Sequence, residues 1–151
     1  MNGLLLRLGA ILSTFVISWT TTSVVNRVYL RFDNVAVGSI AIPPDGHGGF
    51  SSYDSRDGVH LVVEHANFPS REAAGQAFQN MLRRPYKLVE REVLYDRQGK
   101  IVTGERLVIT YRADSGIDAA AVIALDDTKL YEIASTSLRH TLSFERAHRR
   151  Y

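Results

Sequence analysis

The chain has no cysteine, only four prolines and one tryptophan, and almost no charge imbalance: eighteen Lys and Arg stand against sixteen Asp and Glu in 151 residues. Without cysteine there is no disulfide, thiolate nucleophile, zinc-thiolate site, Cys-ligated iron-sulfur cluster or c-type haem attachment. A net charge of +2 with both signs scattered along the chain is not the footprint of a nucleic-acid binder, so no nucleic-acid partner is expected. No P-loop and no G-x-S-x-G nucleophile elbow occurs either.

What is present is a long apolar start. From Leu8 to Val25 the stretch LGAILSTFVISWTTTSVV carries no charge, and as a helix it would span about 27 Å, close to the roughly 30 Å hydrocarbon core of a bilayer. Arg7 precedes it, and Arg27, Tyr29 and Arg31 follow where cationic and aromatic side chains favour lipid headgroups. Its small residues are spaced for a second helix. Ala10, Thr14, Ser18 and Thr22 recur every four positions with Gly9 and Ser13 beside them, a stripe that allows close helix approach in lipid. Residues 1–30 are read as a retained single-pass anchor docked on a larger integral membrane protein. The alternatives are a cleaved secretory signal ending near Ser23, which would make the mature chain a secreted or periplasmic binding module, and a soluble core helix. Two arginines after the run against one before it lean toward a cytoplasmic C-terminal domain.

From Asp33 to Tyr151 the pattern is strands punctuated by two helices. Val35 to Ile42 stops at Pro43 and Pro44, the loop DGHGG follows, and Phe50 to Tyr53 and Val59 to Ala66 read as further strands. Ser70 looks like an N-cap for a helix with Ala73, Ala74, Ala77, Phe78, Met81 and Leu82 on one face, ended by Pro85. Tyr86 to Tyr95 and Lys100 to Arg112 form a hairpin around YDRQGK, with Leu107, Ile109 and Tyr111 expected inward and Arg106, Thr110 and Arg112 in water. AAAVIALD, apolar on both faces, pairs through DDT with Lys129 to Ala134. Ser135 or Ser137 then caps a closing helix with Leu138, Leu142 and Phe144. The expected class is α+β: an N-terminal transmembrane helix, then an antiparallel sheet of six or seven strands packed against two helices.

The helix after Ser70, the hairpin around YDRQGK, the strands AAVIALDD and KLYEIA and the closing helix TSLRHTLSFERAH resemble, in their order, the second half of the PsbP-like α/β sandwich. That resemblance covers roughly residues 58 to 147. The family includes extrinsic photosystem subunits, so it implies a non-catalytic protein that stabilises a membrane complex, photosynthetic or electron-transferring.

Candidate chemistry is sparse. In HLVVEH, His60 and Glu64 share a strand face while His65 points away, so the three do not converge on a metal. The loop PPDGHGGF offers Asp45, His47 and backbone amides to an anion, and Ser51, Ser52, Asp54 and Asp57 add hydroxyls and carboxylates nearby. Glu90 and Glu92 lie about 7 Å apart on one strand face, flanking Arg91. The closing helix and tail gather Arg139, Arg146, Arg149 and Arg150 against Glu145, with His140 and His148, a surface suited to anionic headgroups or an acidic partner face. The expected function is a non-enzymatic accessory subunit of a membrane complex with no cofactor. A secreted binding module is the alternative, and a small hydrolase or metal enzyme built on His47 or His60 is a third reading.

Overall fold

A computed structural model of the chain describes residues 30–149. Phe32–Tyr151 forms a compact unit of its own, and it holds every regular element described here. Seven strands form one antiparallel sheet: β1 (Phe32–Ile42), β2 (Gly46–Ser55), β3 (His60–Asn67), β4 (Tyr86–Tyr95), β5 (Val102–Arg112), β6 (Asp118–Asp126) and β7 (Lys129–Ser135). Helix α1 (Arg71–Met81) lies between β3 and β4, and α2 (Leu138–His148) follows β7. The spatial order is β1-β2-β3-β7-β6-β5-β4. After β3 the chain therefore crosses to the far edge, and the β4–β7 meander walks back until β7 pairs with β3.

The fold class expected from the sequence is corrected here. Among the described residues no helix is long and apolar enough to cross a membrane: α1 and α2 have eleven residues each, about 16 Å of rise. The run from Leu8 to Val25, where the spanning helix was expected, lies outside the described residues. What the chain presents is a mostly-sheet domain with two short helices. The membrane-bound, photosystem-like character inferred from anchor and element order is withdrawn with it.

One helix covers each face of the sheet. On the first face Ala74, Ala77 and Phe78 of α1 meet Ala66, Leu107, Ile109, Ala121, Ile123 and Leu130. On the second, Phe144 of α2 meets Leu61, Val108, Val122 and Ile133. Strand β6 runs beneath both, which is why Ala120 to Ala124 are all but inaccessible and why the run AAAVIALD carries no polar face. Each large side chain buried this way contributes roughly 1.5–3 kcal/mol. Ser70 does cap α1, its Oγ accepting from the Ala73 amide at 3.1 Å.

Two local expectations fail. The DGHGG segment is not a loop: Gly46 to Gly49 open β2, and the turn is confined to Pro43, Pro44 and Asp45. A Cβ on Gly48 would lie 1.7 Å from the His65 carbonyl oxygen, so that glycine permits close strand approach and does not cradle an anion. Arg106 is not in water either; it is 4% exposed, on the face that α2 covers.

Candidate functional site

The sites expected from the sequence scatter. Gly9, Ala10, Ser13, Thr14, Ser18, Thr22, Arg27, Tyr29 and Arg150 lie outside the described residues. Arg31, Arg139, Arg146 and Arg149 are exposed, and Arg149 donates from Nη2 to Glu92 Oε1 at 2.8 Å on the surface. His60 pairs with Asp54 at 2.6 Å, and His65 stacks on Tyr131 with centroids 6.5 Å apart. Among the described residues no group of three or more His, Cys, Asp or Glu could hold a metal ion. His47 stands exposed on β2, and Ser51 and Ser52 sit in the β2–β3 ladder opposite Val63 and Val62.

Glu90 and Glu92 do share a face, but as partners of a cation. Arg106 Nη1 donates to Glu90 Oε1 at 2.8 Å and lies 3.7 Å from Glu92 Oε2. The same guanidinium forks onto Glu145 of α2, with Nη2 2.6 Å from Oε2 and Nε on Oε1. A planar fork on a planar carboxylate satisfies both groups at once, which is what permits their burial.

A second cluster sits on the α1 face. Glu64 and Glu132 are directly opposed across the β3–β7 ladder, with Arg84 Nη2 3.7 Å from Glu132 and its guanidinium 4.4 Å above the Tyr111 ring. Burial, reinforced by the neighbouring Glu64 and only partly offset by Arg84, pushes the Glu132 carboxyl up to about 6. Burial likewise raises the Tyr111 phenol, with the Glu132 charge adding to it. Such a carboxyl can hold or release a proton near neutrality.

The third cluster was missed from sequence. His140, 5% exposed, has its Nδ1 2.7 Å from Ser137 Oγ and its Nε2 2.9 Å from both carboxylate oxygens of Asp57. Ser55 Oγ donates to the same carboxylate at 2.6 Å, and this bond, then His140, holds Asp57 below the usual carboxylate range. A carboxylate on Nε2 favours the tautomer that leaves Nδ1 able to accept from Ser137. Beside the cluster is an open hollow of about 390 Å³ lined by Thr110 and Tyr111 of β5, Asp118 to Ala120 of β6, and Thr136 and Leu138 on either side of Ser137. Ser137 is also the N-cap of α2. The only sequence signal was a Ser-x-x-His at a helix start, since Asp57 is remote in the chain.

The most distinctive surface is the outer edge of β4. The strand pairs with β5 alone, and no strand lies beyond it among the described residues. Tyr86 is 41% exposed, Leu88 48%, Val93 43% and Tyr95 55%, and Val89, Ile101 and Val102 are exposed as well. Register places Tyr86, Leu88, Arg91 and Val93 opposite Tyr111, Ile109, Leu107 and Glu105, on the α1 face. Because α1 packs chiefly over β6 and β7, this stripe stays open. A ten-residue edge with an unpaired backbone row and apolar side chains is a template for another strand.

No family model matches the chain, and no curated protein does. Among solved structures, a GTP-binding regulator from Thermotoga maritima aligns with a TM-score of 0.42 and 12% identity, covering 83% of this chain and 87% of that one. A likeness of that degree leaves the function to be argued from the residues.

Proposed function

We propose that this chain is a non-catalytic accessory module of a larger protein assembly, and that its working surface is the outer edge of β4. The carrying observation is the stripe of Tyr86, Leu88, Val93 and Tyr95, all more than two-fifths exposed along a strand whose outer side meets no other strand among the described residues. Strand addition would supply backbone hydrogen bonds, and the alternating side chains would supply selectivity. The opposite edge, β1, exposes Val35 and Val37 but no aromatic residue. Replacing Leu88 and Val93 together by Lys leaves the core untouched and sets charge on the stripe. Co-purification from native extract should lose the partners retained by the unaltered chain; the same partners in the same amounts would refute the reading.

A second reading is favoured by one observation, the buried His140 held between Ser137 and Asp57 beside an open hollow. In an acyl-transfer step Ser137 Oγ would attack a carbonyl carbon while its proton passes to His140 Nδ1, and the ester or amide leaving group would depart carrying that proton from the imidazolium, which Asp57 steadies. Water, giving a proton to His140, would then release the acid and restore Ser137. Covalent labelling by a fluorophosphonate, lost in Ser137→Ala and His140→Ala, would support this; an unlabelled folded chain removes it.

A further inference from the structure

We infer that the strand received by the β4 edge is β4 of a second copy of this chain, paired antiparallel about a two-fold axis beside Arg91. The inference rests on the β4 edge being a protein-binding surface, and it names the occupant.

A two-fold interface places the same patch on both sides, so the patch must complement its own reverse. Few strands do. Along the open face of β4 the residues run Tyr86, Leu88, Arg91, Val93 and Tyr95, which is aromatic, aliphatic, arginine, aliphatic, aromatic in either direction. The sequence LVEREVL from Leu88 to Leu94 itself reads the same both ways. The face pattern depends on one irregularity. Ladder register shifts between Leu88 and Glu90, so Val89 is an inserted residue that brings Tyr86 and Leu88 onto the face of Arg91. Without that bulge, Leu88 and Arg91, three apart, would point to opposite sides.

Antiparallel pairing about Arg91 sets Tyr86 against the second copy's Tyr95 and Leu88 against the second copy's Val93, cross-strand pairs of the favourable aromatic and aliphatic kinds. It also sets Arg91 near its own copy, and Glu90 near Glu92. Like charges directly opposed destabilise a ladder, but each of these is already matched within its own chain. Arg91 Nε donates to Glu105 at 2.8 Å, Glu90 accepts from Arg106 and Glu92 from Arg149. What meets at the axis is a set of neutralised ion pairs, so the apolar pairs on either side decide the sign.

Because the chain has no cysteine, Arg91→Cys installs a single thiol beside the axis. Under mild oxidation the full-length Arg91→Cys chain should form a disulfide-linked dimer at least tenfold faster than Val37→Cys on the β1 edge; equal rates would overturn the inference. Sedimentation equilibrium of the cysteine-free chain serves as an independent reading. A dimer that becomes a monomer in Leu88→Lys/Val93→Lys supports the pairing; a monomer, or a dimer indifferent to those substitutions, overturns it. If the chain is monomeric and a photoreactive residue at position 88 still attaches to another protein, the second copy is ruled out and the proposed function stands. If no attachment occurs either, both fall.

Discussion

Arg106 of β5 and Glu145 of α2 form a buried, two-pronged ion pair that fastens the closing helix to the sheet across thirty-nine residues of sequence. Both side chains are at least 95% buried. Their surroundings extend the link outward through Glu90 and Glu92 to Arg149, so α2 is tied to the same hairpin whose edge we assign to binding.

Removing one member of that pair takes from the other buried charge its two-pronged partner. Glu145→Ala or Arg106→Ala should each cost about 3–5 kcal/mol in urea unfolding, whereas Arg106→Met/Glu145→Leu should cost much less than the sum of the two. Additive losses would mean the two groups do not act as a unit.

Stability should also carry a slope with pH that traces to Glu132. Its folded carboxyl titrates at about 6 against 4.5 for an ordinary glutamate, so between those values the folded chain binds more protons than the unfolded one. The Glu132 contribution is fully present below about pH 4.5 and is lost as pH rises through 6, about 2 kcal/mol in all. Asp57 and Asp96, held low by their hydrogen bonds, act with the opposite sign and only at more acid pH. Urea titrations between pH 4.5 and 7.5 should show the fall in the natural chain and a flattened profile in Glu132→Gln.

The two helix caps should differ in weight. Ser70 Oγ accepts only the Ala73 amide, and Ser70→Ala should cost about 1 kcal/mol. Ser137 caps α2 and also satisfies the buried His140 ring, so Ser137→Ala should cost more, by the penalty of an unpaired buried polar group, about 1–3 kcal/mol. Equal losses by thermal unfolding would mean that the His140 contact adds nothing.

Gly48→Ala should destabilise by roughly 1–3 kcal/mol or more, since the new Cβ would fall on the His65 carbonyl, while Gly75→Ala on α1, with nothing near it, should not destabilise. Thermal melts of the two variants make the comparison.

Signals that act within a few residues were legible in the sequence. Ser70 and Pro85 bracket α1, and in YDRQGK the Asp96 carboxylate accepts from the Gln98 and Lys100 amides while Gly99 takes a φ of +69°, as the turn chemistry required. What failed depends on residues distant in the chain. Alternation sent Arg106 outward because nothing local reveals that Glu145 awaits it on α2. DGHGG looked like a loop because its glycines serve a neighbouring strand, not a turn. The relay of Ser137, His140 and Asp57 joins a helix start to a β2–β3 turn eighty-three residues earlier, beyond any spacing rule. The β4 edge lay in plain sight as YKLVEREVLY, but only the sheet order shows that no strand lies beyond it among the described residues.

Site-specific photo-crosslinking in the native host, with the photoreactive residue at position 88 of β4 or position 37 of β1, reads binding at the β4 edge itself. Position 88 should give protein adducts, mapped by mass spectrometry to one extended segment, and position 37 few. Adducts at position 37 alone, or none at position 88, would contradict it.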